Sequence, residues 1–342
     1  MISKKIIHVT KEYIHKLSRR KDFVNTIEWL LSESNPSVRY WTLQDLLDKP
    51  EDDIQVKKSR ELVANQNTVK DIFSLQNEQG YWGSATSLWG YKNTSFQLLV
   101  LSELGLGGKT DPRIEKAVEF LFRFQRENGS FTSTIKARNQ LKNPTNEFCL
   151  TAIILKSLLL FDYGSDPRVQ DAFHFLISSE DNGWSCQWYP MNREKVIPEK
   201  CYMGGIKVLS AFTKLLPHLK TAEVNEIIAR NAEIYLENKI YWYRRDKTGQ
   251  RTQKPSWTKF SFPLYWNSDV LEVLDVLTEL QIRDERMQEA LDLVRSKQVD
   301  GRWILERCPR NMLVTLEEKE SPSKWITLRA LRILKRAGIP LT

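Results

Sequence analysis

The chain has 342 residues, 41% hydrophobic and 27% charged, a soluble globular balance with length enough for one large core or two ordinary ones. Its formal net charge of +8 admits an acidic partner, but no nucleic-acid motif accompanies it, so scattered solvated charge is the simpler reading and nucleic acid is set aside. No apolar run approaches the roughly 18 residues of a membrane helix, Met1 to Arg20 is lysine-rich without an apolar signal core, and Cys149, Cys186, Cys201 and Cys308 form no CxxC pair, which predicts reduced thiols in the cytoplasm.

Residues 1–22 read as a basic extension and residues 23–342 as one domain. The first amphipathic pattern, Phe23 to Glu33, precedes a more apolar one, Ser37 to Leu47. A polar linker carrying Glu51-Asp52-Asp53 leads to a second amphipathic stretch, Val69 to Gln76. That stretch ends in Gln76-Asn77-Glu78-Gln79-Gly80-Tyr81-Trp82, and the apolar stretch Asn93 to Leu104 follows.

Asp111-Pro112-Arg113 then opens Ile114 to Gln125, with aspartate as N-cap and proline at the first helical position. This helix ends in Gln125-Arg126-Glu127-Asn128-Gly129-Ser130-Phe131, and Thr145 to Phe161 is the next apolar helix. Asp166-Pro167-Arg168 repeats the opening device before Val169 to Ser178, which runs into Glu180-Asp181-Asn182-Gly183-Trp184 and the apolar Lys200 to Leu215. Val224 to Asn238 is amphipathic, Asn267 to Leu280 apolar, Arg286 to Lys297 amphipathic. Gln298-Val299-Asp300-Gly301-Arg302-Trp303 is the last glycine-aromatic copy, before the helix Lys324 to Lys335.

The four motif glycines are 49, 54 and 118 residues apart, so one copy of a repeat of about 50 residues has decayed. Glycine suits a chain leaving a helix with φ > 0, the aromatic can fold over the helix end, and the glutamine can bind loose backbone groups there. Six amphipathic helices alternating with six apolar ones predict an all-α (α/α)6 toroid, an outer ring around six inner helices. The outer-to-inner linkers, Ser84 to Tyr91, Ser130 to Asn143, Gln187 to Glu199, Tyr241 to Trp266 and Glu306 to Ser323, all arrive at the N-terminal ends of the inner helices. Long ordered loops are usually functional, so a cavity is expected there, covered in part by Tyr241 to Trp266.

From about Phe23 to Lys335 the repeated Q-x-x-x-G-x-W pattern resembles the terpenoid cyclases and protein prenyltransferase β subunits. Within that group the chain is most similar to prokaryotic single-domain squalene-cyclase-like proteins. The resemblance implies proton-initiated, class II-type cyclisation of an isoprenoid without a metal or other cofactor. Such chemistry needs a buried carboxylic acid and an aromatic-lined cavity that stabilises a cation. Asp269 and Glu147, each at the start of an inner helix, are the candidate acids; the alternative role for either is a first-turn carboxylate favoured by the helix dipole. Trp89, Tyr91, Tyr202, Trp266 and Trp325 are expected to line the pocket, with Cys149 and Cys201 beside them. Arg39, Lys92, Lys200 and Lys324 lie near the same rim, where they could hold an anionic group or serve as solvated helix ends.

Two departures matter. No D-x-D-D acid motif is present, which favours a second reading, a non-catalytic toroid that binds a prenyl ligand, another hydrophobic ligand or a protein. Glu199-Lys200-Cys201 loosely resembles the zinc pair of the prenyltransferases, but the only later histidine, His218, lies beyond the far end of the same helix, so no metal is expected. A third reading, a carbohydrate enzyme of double-ring topology, would use Glu147 and Asp269 as its carboxylate pair. The expected partner is an isoprenoid-like small molecule, with peripheral contact to an acidic membrane surface as a further expectation.

Overall fold

The computed structural model describes residues 23–107, 111–138, 147–185, 200–242, 244–245 and 248–341. The basic extension, Cys186 and the whole linker Gln187 to Glu199 lie outside them. The described chain is mostly helical. Strand is confined there to two ladders of two residues, Arg244–Arg245 with Arg251–Thr252 and Trp303–Ile304 with Pro322–Ser323.

The helices are α1 (23–30), α2 (Pro36–Trp41), α3 (Ile54–Val63), α4 (Asn67–Ser74), α5 (Thr94–Glu103), α6 (Pro112–Phe122), α7 (Ile135–Arg138), α8 (Phe148–Leu160), α9 (Pro167–Ser178), α10 (Tyr202–Phe212), α11 (Ala222–Glu237), α12 (Val270–Glu279), α13 (Gln288–Ser296) and α14 (Lys324–Arg336). The apolar helices touch in chain order: α5 packs on α8, α8 on α10, α10 on α12, α12 on α14, and α14 on α2. The Trp41 indole N–H donates to Glu103 O at 2.8 Å and joins the end of α2 to α5. One hydrophobic cluster extends from Leu30 to Leu334.

The glycine-aromatic motif is a staple between successive helical hairpins. Gln76 Nε2 donates to Gly80 O within its own motif and to Arg113 O at the start of α6, both at 2.9 Å. Gln125 Nε2 repeats this with Gly129 O at 3.1 Å and Arg168 O at the start of α9, 2.7 Å. The aromatic fastens the motif inward. Trp82 Nε1 donates to Ile72 O at 2.7 Å, while its backbone N–H bonds Thr94 Oγ1 of the apolar helix at 3.1 Å. Phe131 N bonds Thr151 Oγ1 at 2.9 Å, and Trp303 N bonds Thr327 Oγ1 at 3.0 Å, so the threonine is part of the same device. In the third copy Glu180 replaces the glutamine and accepts from Gly183 N and Asn231 Nδ2 at 2.9 and 3.0 Å. Gly301 O of the last copy accepts from Thr26 Oγ1 of α1 at 3.2 Å, which ties the two ends of the domain together.

The paired Asp-Pro-Arg openings serve the same junction. Asp111 and Asp166 each cap their helix, accepting from Arg113 N and Arg168 N at 2.9 Å. Each arginine lies over an aromatic of the preceding amphipathic helix, Phe73 of α4 and Phe122 of α6, with Cζ 3.7 Å from the ring centroid. Arg168 also reaches Glu119 of that preceding helix at 2.8 Å.

Four features differ from the sequence expectations. Helix α3 stands where a linker was expected, and Asp53 of Glu51-Asp52-Asp53 is its N-cap, accepting from Gln55 N at 2.7 Å. The four-residue α7 falls inside the linker Ser130 to Asn143. The helix expected over Ser37 to Leu47 is α-helical only to Trp41 and continues as a π-turn, Thr42–Leu46. Helices expected from Lys200 and Asn267 begin at Tyr202 and Val270, because Cys201 and Asp269 are caps and a periodicity window counts cap residues as helix.

Why glycine is needed is settled by contact as well as by backbone. Gly129 has φ +86°, and a Cβ there would lie 2.1 Å from Asp171 O on α9; Gly338 has φ +74° with no atom within 4 Å. Gly338→Ala is therefore expected to cost only the left-handed strain of about 1–2 kcal/mol. Gly129→Ala is expected to cost clearly more, about 3 kcal/mol or above, since the hairpin junction must open. Urea unfolding of both variants checks this, and equal losses would show that the glycine serves its backbone angle alone.

Candidate functional site

At the N-terminal ends of α5 and α12 the linkers bring together a face of aromatic rings. Trp89 stacks on Trp266 with centroids 5.0 Å apart and planes 20° from parallel, and Tyr91 lies 4.3 Å from Trp266. All three are half-buried. Beneath them Tyr265 is buried, 5.2 Å from Trp89 and 5.4 Å from Phe96, with its hydroxyl 2.6 Å from Ser95 Oγ. Burial drives the Tyr265 phenol well above its usual range, so it stays neutral, and Cys149, Glu147 and Tyr91 all lie within electrostatic reach of it. Asn267 Nδ2 donates to the Tyr91 hydroxyl at 3.4 Å and completes a polar edge to the face.

Glu147 precedes α8 and is buried, its Oε1 accepting from Ser133 Oγ at 2.9 Å. Cys149 is half-buried in the first turn of the same helix. Trp89 and Tyr91 thus meet through Trp266, with Glu147 and Cys149 within electrostatic reach of Tyr265 beneath them, while the other expected site residues are occupied elsewhere. Tyr202 is packed 4.4 Å from Tyr235 and 5.2 Å from Trp257, and its hydroxyl donates to Ile240 O at 2.7 Å. Trp325 stacks on Phe262 at 4.9 Å and 13°. Cys201 Sγ caps α10 by accepting from Gly204 N at 3.3 Å. The Arg39 guanidinium donates to Leu31 O, Lys200 pairs with Asp181 at 3.2 Å, and Lys324 lies over the Trp29 ring at 5.4 Å.

Asp269 is fully buried with both carboxylate oxygens engaged by backbone: Oδ2 accepts from Ser261 N at 2.7 Å and Oδ1 from Glu272 N at 2.9 Å. It caps α12 and holds the aromatic loop down on that helix. Burial raises its pKa to about 6, against the opposing pull of Arg329 and the two N–H donors. The group has the pKa of an acid catalyst but the contacts of a structural clamp.

Between α5, α8, α10, α12 and α14 lies a set of charges that apolar periodicity does not reveal. A cavity of about 130 Å³ is lined by Glu103, Lys156, Glu272, Asp275, Arg329 and Arg332 among others, with Trp325 and Phe262 also in its wall. Lys207 Nζ is buried in a bond to Glu272 at 2.6 Å and donates also to Asn267 O at 2.8 Å, linking α10, α12 and the aromatic loop. Asp275 collects three arginines of α14, with Arg332 Nε at 2.9 Å, Arg336 Nη1 at 3.0 Å and Arg329 Nε at 3.6 Å. These cations hold the buried Asp275 carboxyl down at about 2 despite the desolvation that would raise it. The polar stripe of α14 therefore faces inward. The signal was present in sequence: a lysine or aspartate inside a helix otherwise apolar all round has nowhere to go but toward a partner.

Among the described residues no helix is long and apolar enough to cross a membrane. No protein-family model matches the chain, and no curated protein matches it. A crystal structure of a protein from Actinoplanes is similar at 13% identity, with a TM-score of 0.45, over 94% of this chain and 99% of that one.

The clamp role of Asp269 gives a pH signature. Its folded pKa of about 6 lies above the 3.8 of an unperturbed aspartate, so the native state holds the proton more tightly than the unfolded state. The resulting stability is fully present below about pH 4 and is lost as pH rises through 6, by up to about 3 kcal/mol. Asp269→Asn does not titrate, so its penalty relative to wild type is expected to be larger at pH 4 than at pH 7. Unfolding free energies of both proteins across that range check the sign; a penalty that grew with pH would mean that the carboxylate, not the acid, is the stabilising form.

Proposed function

We propose that the chain is an (α/α)6 toroid whose mouth, at the N-terminal ends of the inner helices, binds an isoprenoid-like apolar molecule without performing proton-initiated cyclisation on it. The serial packing of α5, α8, α10, α12, α14 and α2 supports the double ring. The single observation that carries the binding reading is the half-exposed face of Trp89, Tyr91 and Trp266. Trp266, stacked on Trp89 and tilted against Tyr91, forms with them a partly exposed aromatic edge that offers an apolar chain contact area at little entropic cost.

Several observations weigh against catalysis by the acid expected first. Asp269 has no exposed surface, both its oxygens are bound by backbone N–H groups, and no D-x-D-D sequence stands elsewhere. Its burial also removes one member of the carboxylate pair that a glycosidase reading needs. Cyclisation remains as a second reading through Glu147 alone, whose buried carboxyl adjoins Cys149 and Tyr265 at the mouth. The net charge of +8 suits a protein that meets its apolar ligand at an acidic membrane surface.

Farnesol is a suitable probe, read by quenching of tryptophan fluorescence. Saturable quenching is expected for the wild type, with Trp266→Ala weakening binding about tenfold while far-ultraviolet circular dichroism is unchanged. No saturable signal up to the solubility of farnesol, or an unaltered affinity in Trp266→Ala, would sink the binding reading. Mass spectrometry of the same incubations with squalene tests the second one: a cyclised product that disappears in Glu147→Gln would make the protein an enzyme.

A further inference from the structure

The aromatic edge rests on a short strap, residues 263–268, between Phe262 and the helix cap Asp269. On either side of the strap the backbone is bonded. Phe262 N donates to Arg307 O at 3.3 Å, Ser261 N to Asp269 Oδ2 at 2.7 Å, and Val270 N to Trp257 O at 3.0 Å. Within the strap the backbone makes a single hydrogen bond among the described residues: Asn267 O accepts from Lys207 Nζ at 2.8 Å. The remaining polar ties are side chains, the Tyr265 hydroxyl with Ser95 Oγ at 2.6 Å and Asn267 Nδ2 with the Tyr91 hydroxyl at 3.4 Å. Trp266 sits between these two residues, half-buried against Trp89 and Tyr91.

Lys207 is the one charged residue of α10, a helix buried over nearly its whole surface, and its side chain is 4% exposed. A buried ammonium is costly, and the packing of α10 on α12 does not call for one. The same two helices are already joined by a second ion pair, Lys214 with Glu279, whose side chains are 26% and 20% exposed. What the deeper pair adds is its third partner. Both oxygens of Glu272 accept from Lys207 Nζ at 2.6 Å, and the Asn267 carbonyl takes the remaining direction, so the three ammonium hydrogens are all used. A charged donor makes that last bond stronger than a neutral one would.

We infer that Lys207 is the positioning residue of the aromatic edge: it latches the strap at Asn267 O and so sets Trp266 against Trp89 and Tyr91 before any ligand arrives. The inference rests on the reading of that edge as the ligand site. A face that is already ordered spares the ligand the cost of ordering it, so releasing the latch lowers affinity while the domain stays folded. Glu272 keeps the buried ammonium balanced and makes no hydrogen bond to the strap itself.

Two double variants of the full chain separate the latch from the joining of the helices. Lys207→Met with Glu272→Met removes the deep pair as a unit, which leaves no buried charge uncompensated. Lys214→Met with Glu279→Met removes the outer pair between the same helices and does not touch the strap. Farnesol affinity is expected to fall about tenfold in the first and to stay within about twofold of wild type in the second. Chymotrypsin, with the fragments mapped by mass spectrometry, is expected to cut after Tyr265 or Trp266 in the first variant only. Wild-type affinity and an uncut strap in the folded Lys207→Met/Glu272→Met variant would overturn the inference. Equal losses in the two variants would overturn it as well, since helix packing would then be the cause. If farnesol does not bind the wild type, the ligand reading of the edge fails, and cleavage of the strap still decides whether Lys207 is its latch. Should the methionine pair fail to fold, Lys207→Gln with Glu272→Gln replaces it, because the glutamine at 207 is one atom too short for Asn267 O; the same outcomes are expected.

Discussion

A carboxamide that bonds two carbonyls at once organises this domain. Gln125 Nε2 holds Gly129 O in its own turn and Arg168 O in the next outer helix, and Gln76 does the same one repeat earlier. The two acceptors belong to different hairpins, so the bond that terminates one hairpin also positions the next. Glycine is needed at that point because the following helix passes within van der Waals range of its Cα. The tryptophan that follows sends its indole N–H back to the outer helix and its backbone N–H to a threonine on the inner one. Outer helix, turn, inner helix and neighbouring hairpin are thus fixed by residues spanning one short segment. Hydrogen bonds of this kind contribute about 1 kcal/mol each, but leaving the buried partners unpaired would cost more than making them gains.

The aromatic edge inherits its position in part from that arrangement. The linker before α5 follows a staple, the linker before α12 comes from the segment where the motif is absent, and together they carry Trp89, Tyr91, Tyr265 and Trp266 to one place. Asp269 secures the second of these linkers from below through Ser261 N, while Lys207 secures it from the side through Asn267 O. An edge built from half-buried rings needs such supports, because exposed aromatics on an untethered loop would collapse onto the core. The fully buried Asp269 is the physical cost of holding the face open, and it explains why a residue so placed in sequence looks catalytic while its contacts are those of a clamp.

The sequence made the helical class, the repeat and most helix positions legible, and the reasons are local. Motif glycines, Asp-Pro-Arg openings and apolar periodicity all act within a few residues of where they are read. Of the residues read at the helix entrances, Trp89, Tyr91 and Trp266 are in ring contact, and Cys149 and Glu147 lie within electrostatic reach of Tyr265 beneath them. Tyr202 and Trp325 do not join them, because their rings found partners, Tyr235 and Phe262, from segments distant in sequence. Helix α3 was missed since its exposed face is charged and its buried face is only Val56, Ser59 and Val63, too narrow a stripe to register as a core helix. Ser95, paired with the Tyr265 hydroxyl across 170 residues of chain, carries no sequence signal at all.

The inward charges of α10, α12 and α14 show what apolar periodicity leaves out. An amphipathic helix is ordinarily assumed to turn its polar stripe to water, yet α14 turns Arg329, Arg332 and Arg336 toward the axis and its apolar stripe toward its neighbours. That orientation is stable only because carboxylates from two other helices, Asp45 and Asp275, meet the arginines there. A buried ion network of this kind contributes little net stability, because desolvation consumes most of the Coulombic gain. Its effect is on register: rotating α14 by one residue would strand three guanidinium groups in apolar surroundings, and sliding α12 would leave Asp275 unpaired. The hydrophobic faces alone would permit several such shifts at small cost. Among helices rich in Leu, Ile and Val, these buried charges select one packing among many of similar apolar area, and the cavity they enclose takes its chemical character from that selection.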